Sequence, residues 1–287
     1  MANVLEGMED CELDLAEITL AEQVGYGRTA TVHRAFYHDE VVAVKKITGD
    51  LRSMSTQMRK SLCRELEILK AMNHPKLVRL IGVTIHHPLL IVMEFCPGGT
   101  LFELLHHSDI ELSWPQKSKM AVDIAEAMVY LHSHEPPILH RDLKSLNLLL
   151  AEKIRNDVDI PMVKLSDFGM SRLQDDTMTL GAGTSHWMAP EVFSNGVYDD
   201  KVDAYSYSIV LYEIICQDIP FSDLSEVTLR QKVVKGERPD LADVPDDCPQ
   251  VLLEVMTACW EHDPRKRHDF NAIIMCYAEA DLAIVYL

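Results

Sequence analysis

The sequence predicts an α+β protein of two lobes: a small first lobe with an antiparallel sheet and one helix, then a larger, mainly helical second lobe. Three observations predict it. β-Branched runs fall in the first third of the chain. Apolar residues recur at helical spacing through most of the remainder. Cys96-Pro97-Gly98-Gly99 separates the two patterns as a linker. The 287 residues allow one large domain or two smaller ones with a sizeable core. A composition 47% hydrophobic and 25% charged excludes disorder of the whole chain.

Residues 1–17 hold six acidic side chains and no basic one, which predicts a mobile acidic lead-in with room for partial docking. Ile18 to Val24, Thr31 to Phe36 and Glu40 to Ile47 read as strands. Met58, Leu62, Leu66 and Leu69 form one apolar face and predict a helix over 56–72, stopped by Asn73-His74-Pro75. Strands at 77–84 and 89–95 complete a first lobe of residues 18–95, and 96–99 serve as a hinge. In the second lobe, 100–287, Ser113-Trp114-Pro115 starts a helix that runs to Ser133. Its buried face carries Met120, Ile124, Met128 and Leu131. Further helices are predicted at 200–216, 225–235, 249–260 and 268–284, and residues 152–161 read as an enlarged hairpin. A β part and an α part joined by a Pro-Gly-Gly hinge suit a ligand held in a cleft.

Composition excludes several functions. The longest strongly apolar run, Pro88 to Met93, is too short to span a bilayer, and the acidic start lacks the features of a secretory signal. Seven scattered cysteines without a C-x-x-C pair fit reduced thiols, hence the cytoplasm or the nucleus, and give a zinc site no support. The net charge of −18 disfavours nucleic-acid binding. Only residues 22–79 are net basic, and they could form a nucleic-acid patch, a solvated face or a counter-surface for a nucleotide. His86-His87 and His106-His107 read as solvated turn histidines rather than metal ligands.

The residues with chemical promise form a series. Gly25-Tyr26-Gly27 lies between two predicted strands, where glycines let backbone N–H groups approach phosphates. Taken alone, such a pair is usually just a turn. Lys45 follows the apolar Val42-Ala43-Val44 on a strand, and Glu65 lies mid-helix beside an apolar face. Each has an ordinary surface reading as well. His140-Arg141-Asp142-Leu143-Lys144-Ser145-Leu146-Asn147 then sets a base candidate, a cation and a metal-ligating amide close together. Asp167-Phe168-Gly169 and Ala189-Pro190-Glu191 follow. Chance assembly of all these in this order is negligible.

From Ile18 to Ala283 the chain therefore resembles a eukaryotic protein kinase. The resemblance implies the bilobal kinase fold, ATP and Mg²⁺, and transfer of the γ-phosphoryl group to a protein substrate. It places Gly25 and Gly27 over the ATP phosphates, and Lys45 on the α- and β-phosphates with Glu65 as its partner. Asp142 accepts the proton of the substrate hydroxyl, Lys144 steadies the γ-phosphate, and Asn147 and Asp167 bind the metal. Val32, Ala43 and Leu149 sandwich adenine, Met93 stands at the back of its pocket, and Glu94 and Cys96 meet it through backbone groups. Asp203 anchors the catalytic loop, and Glu191 pairs with Arg267.

Lys144 with Gly183-Thr184-Ser185-His186-Trp187-Met188-Ala189-Pro190-Glu191 is similar to the tyrosine-kinase-like group of serine/threonine kinases, which includes MAP kinase kinase kinases. Cys259-Trp260 and Asp263-Pro264 keep dual specificity open. Phosphorylation at Thr177 or Thr179, by an upstream kinase or by the chain itself, would order the loop with Arg141 as phosphate partner; the alternative is a pair of hydroxyls in an unmodified polar loop. Thr184 works unmodified, bonding Asp142 and Lys144. The departures are Ala30 at the third glycine of the phosphate loop, Ser208 for a glycine and His268 for a proline, and none removes a catalytic group. A rival reading is a scaffold without turnover, which the altered phosphate loop favours and the intact Lys45, Glu65, Asp142, Asn147 and Asp167 oppose.

Overall fold

A computed structural model describes residues 7–27, 30–49, 55–85, 88–167, 185–194 and 198–282, without the side chains of 57, 58, 60, 61, 64 and 65. They fall into two compact units. The first holds the described residues up to Pro97 together with Asp167, and the second holds the rest.

The first unit contains β1 (Ile18–Tyr26), β2 (Ala30–Tyr37), β3 (Glu40–Ile47), α1 (Thr56–Ala71), β4 (Leu80–Val83) and β5 (Leu90–Glu94). The strands form one antiparallel sheet in the order β1-β2-β3-β5-β4. His38 and Asp39, both at positive φ, close the two-residue turn between β2 and β3. That turn twist matches the strands it joins. Alternation along β3 then sorts the side chains. Val42 and Val44 join Ile18, Ala35, Leu90 and Val92 in the core cluster. Ala43 and Lys45 fall on the opposite face, where Val32 pairs with Lys45 and Met93 with Ala43. Leu62, Leu66 and Leu69 of α1 are buried, as their spacing predicts.

From residue 7 onward the lead-in takes the docked form that the sequence left room for. Met8 is buried, and Leu13 packs on the core cluster. Glu12 forms a parallel bridge to Val83, and the Leu13 N–H donates to the Val83 carbonyl at 2.8 Å. Lys70, near the end of α1, donates to the Gly7 carbonyl at 2.6 Å and pairs with Asp10. Acidic composition suggested solvation, but Met8 and Leu13 supply the apolar area that composition averages away.

The second unit contains α2 (Leu101–His106), α3 (Trp114–His132), β6 (Leu148–Leu150), β7 (Val163–Leu165), α4 (Pro190–Phe193), α5 (Lys201–Cys216), α6 (Glu226–Val234), α7 (Gln250–Cys259) and α8 (Phe270–Glu279). Helix α5 is buried from Val202 to Ile215, so it has no polar face to show solvent. Its Tyr207 hydroxyl lies 2.8 Å from the Ala121 carbonyl of α3 and 2.7 Å from the Tyr277 hydroxyl of α8. Helix α8 starts at Phe270 rather than at 268 because the Asp269 carboxylate caps the Ala272 N–H at 2.8 Å. Strands β6 and β7 pair antiparallel around residues 151–162, the expected enlarged hairpin. That excursion is fastened by Gln116, whose Nε2 donates to the Asn156 and Asp159 carbonyls at 2.8 and 2.9 Å. No helix among the described residues is long and apolar enough to cross a membrane.

Gly82 marks how closely the lead-in sits. A Cβ there would lie 2.5 Å from the Cys11 carbonyl oxygen and 2.6 Å from Leu13 Cγ. Backbone cannot yield as a flexible side chain does, so Gly82→Ala should displace residues 11–13 and cost about 1–3 kcal/mol. Urea unfolding of the variant checks this, and an unchanged midpoint would contradict the docking described.

Candidate active site

The loop carrying Asp142 is built from a buried anion. Asp203 lies in the first turn of α5 and is fully inaccessible. One of its carboxylate oxygens accepts the His140 N–H at 2.9 Å and the other accepts the Arg141 N–H at 2.8 Å. His132, at the end of α3, brings Nε2 to within 2.9 Å. Two successive amides can point at one carboxylate because Arg141 adopts φ 64, a left-handed conformation costly for any residue with a Cβ and stabilised here by that bond. Burial pushes the Asp203 carboxyl up, but the bond and charge of His132, the charge of His140 and the Arg141 amide outweigh it and hold the group below its ordinary value.

Beyond this anchor the backbone turns back on itself. Lys144 Nζ lies 2.9 and 2.8 Å from the two Asp142 carboxylate oxygens. Asn147 Nδ2 donates to the Asp142 carbonyl at 2.8 Å and to its Oδ2 at 2.9 Å. The Asn147 amide is thereby oriented with its nitrogen toward Asp142, which leaves Oδ1, a hard oxygen, as the atom suited to a cation. The Asn147 carbonyl accepts both the N–H and the hydroxyl of Ser166, at 2.9 and 2.8 Å, and His140 Nε2 lies 3.1 Å from the Ser166 carbonyl. Leu149 is half-buried on β6 between the fully buried Leu148 and Leu150.

The first unit gathers the other candidates on one face of its sheet. Gly25 pairs with Val32, Val32 with Lys45, and Ala43 with Met93, so these positions are neighbours. A Cβ on Gly25 would come within 3.2 Å of Val32 Cβ. The Gly27 N–H bonds the Ala30 carbonyl at 2.8 Å. Lys45 Nζ lies 3.1 Å from an Asp167 carboxylate oxygen, and the Asp167 backbone has φ 58. Glu94 accepts the Arg79 N–H on Oε1 at 2.7 Å, and Cys96 is buried. The side chain of Glu65 lies outside the described residues, as do Phe168, Thr177, Thr179 and Thr184. Arg141 is exposed, its guanidinium 5.6 Å from the centre of the Tyr198 ring.

Residues 18–276 match the family described as protein tyrosine and serine/threonine kinase. The chain belongs to this protein kinase family. It is 34% identical over 293 residues to Mitogen-activated protein kinase kinase kinase 7 of Drosophila melanogaster, covering 98% of this chain and 41% of that protein. Against "Probable serine/threonine-protein kinase drkC" of Dictyostelium discoideum the identity is 35% over 268 residues, or 91% of this chain and 34% of that one. Against "Probable serine/threonine-protein kinase pats1" of the same organism it is 33% over 281 residues, or 94% and 9%. The chain thus spans less than half the length of each of these relatives. The expected kinase fold and the likeness to the tyrosine-kinase-like group are borne out.

Sequence reasoning misjudged His106. Expected in solvent, its side chain is only 6% exposed and sits 3.0 Å from Glu213 Oε1. The neighbouring His107 is exposed, as expected. Spacing within α2 gives no sign that α5 will offer a carboxylate 107 residues later. His132, the third contact of Asp203, was likewise overlooked.

Two outcomes follow from the charges. Glu191 holds Arg267, wholly buried, by bonds of 2.6 and 2.9 Å. Glu191→Ala should therefore cost about 3–5 kcal/mol in urea unfolding, because it strands a guanidinium away from water. For Asp203 the folded value is the depressed one, so its contribution is present above the ordinary carboxylate range and lost as pH falls through that folded value. The stability gap between wild type and Asp203→Asn should shrink below about pH 4. A gap that held constant from pH 7 to pH 3 would contradict this assignment.

Proposed function

We propose that the chain is a protein serine/threonine kinase that transfers the γ-phosphoryl group of ATP to hydroxyls of other proteins. The observation that carries this reading is the Asp142 carboxylate, gripped by Lys144 and Asn147 on a loop fixed to Asp203. Phosphoryl transfer needs positioning and neutralisation of charge more than covalent help from the protein. Asp142 orients the substrate hydroxyl and takes its proton as the new O–P bond forms and the bond from the γ-phosphorus to the departing ADP oxygen breaks. Lys144 moves its ammonium between Asp142 and the γ-phosphoryl oxygens. Lys45, partnered by Glu65, holds the α- and β-phosphates under the Gly25–Gly27 turn.

By likeness to the family, Val32, Ala43 and Met93 of the first unit and Leu149 of the second would receive adenine, and the backbone of Glu94 and Cys96 would read its edge. The donor set also suits a metal. Asn147 Oδ1 and the Asp167 carboxylate are the hard oxygens that Mg²⁺ prefers, and that ion would offset the triphosphate charge. Lys144 with Thr184 supports serine and threonine as acceptors, and Thr184 acts unmodified. Thr177 and Thr179 are the activating sites, phosphorylated by an upstream kinase or by the chain itself, and Arg141 receives the phosphate. The scattered cysteines support the cytoplasm, with the nucleus as the alternative.

Wild type and Asp142→Asn, compared with ATP and a generic protein substrate, should differ in kcat by about 10²–10⁴-fold. Chelation of divalent cations should abolish turnover in the wild type. Equal rates for the two proteins would favour the scaffold reading. A Thr177→Ala/Thr179→Ala variant should lose activation, and full activity in it would remove both threonines from the account.

A further inference from the structure

Glu213 of α5 has a wholly inaccessible side chain. A carboxylate taken out of water is costly unless its lone pairs find donors. Here Oε1 accepts the Ser145 hydroxyl at 2.7 Å and meets His106 Nε2 at 3.0 Å, while Oε2 accepts the Trp187 indole N–H at 2.7 Å. Each contact comes from a different stretch of chain. Ser145 opens the single 3₁₀ turn that ends with Asn147, directly after Lys144. Trp187 ends the 3₁₀ turn from Ser185 that leads into Met188-Ala189-Pro190-Glu191. Both Ser145 and Trp187 are buried, and the indole has no other polar atom to offer. The Trp187 turn is seated further by Ser206, which donates to the Trp187 carbonyl at 2.8 Å, and by Ser185, which donates to Glu226 at 2.7 Å.

We propose that Glu213 is a positioning residue, setting the pose of the Asp142–Asn147 loop through Ser145 in response to the seating of Trp187. This rests on the kinase reading above. The physical basis is that one rigid anion serves both donors. Charge-assisted bonds of this length are strong, and they are directional enough to transmit a rotation of the carboxylate. If Trp187 withdraws its N–H, Oε2 is left bare in a dry site. The carboxylate then turns to recover a partner and loosens its hold on Ser145. Correct arrangement of the segment before Ala189-Pro190-Glu191 is in this way reported to the residues expected to perform the transfer. His106 shares Oε1 with Ser145 and fixes the carboxylate from the α2 side.

Removing Glu213 outright risks unfolding, so the test uses its two partners. Ser145→Ala, Trp187→Phe and the double variant are compared with wild type and with Asp142→Asn, after thermal melts show that each is folded. Each single change should lower kcat about tenfold and leave KM for ATP within about twofold. The double variant should be no slower than the slower single one, since both changes break one linkage. Amide exchange should quicken across residues 143–147 in Trp187→Phe. Losses that multiply in the double variant, or single variants with wild-type kcat, overturn the inference while leaving the kinase reading intact. A wild type no faster than Asp142→Asn overturns the kinase reading, and the inference falls with it.

Discussion

The second unit depends most on a carboxylate in its interior. Asp203 is an expensive residue to place there, and it is tolerated because two backbone N–H groups and a histidine surround it. The same contacts impose the left-handed turn at Arg141 that no local propensity would choose. Once that turn exists, Asp142, Lys144 and Asn147 follow within a few residues and bond to one another. Their geometry is thus inherited from a helix formed some sixty residues later in the chain. A replacement of Asp203 that packed equally well would still lose the arrangement, since no apolar group can receive two amides.

The first unit solves a different problem, that of presenting a cation on a sheet with a dry interior. Strand parity does this. Val42 and Val44 sink into the core cluster while Ala43 and Lys45 face the other way, and register aligns them with Val32 and Met93. A slip of one residue in β3 would bury Lys45 and eject the valines. The short turn at His38 and Asp39 guards against that slip by fixing Tyr37 opposite Glu40.

Much of this was legible in the sequence, for definable reasons. The apolar spacing of α1 and α3 and the β-branched run of β3 are local, and each element lies where its pattern put it within a few residues. Short motifs such as His140-Arg141-Asp142 were legible because chemistry confines them to few residue types. What stayed hidden is non-local. Nothing near Glu213 says that Ser145, His106 and Trp187 will converge on it. Nothing near Gly82 says that Cys11 will lie against it. The docking of the lead-in was legible only as an alternative, because its charge hides two apolar residues, Met8 and Leu13, that outweigh several solvated carboxylates once a surface is offered to them. His106 misled in the opposite sense, as a polar residue recruited inward by a partner from another helix.

The bridge between Glu12 and Val83 also bears on how the molecule behaves in a crowded solution. Strand β4 is one of the two border strands of the sheet, with β5 on one side and the Glu12–Leu13 backbone on the other. An uncovered border strand offers a row of amides to any extended peptide that drifts by. The amino-terminal stretch therefore acts as a selvedge that keeps the fabric from joining its neighbour. A shortened version starting at Ile18 would leave that border bare and tend to self-associate, even with every catalytic group in place.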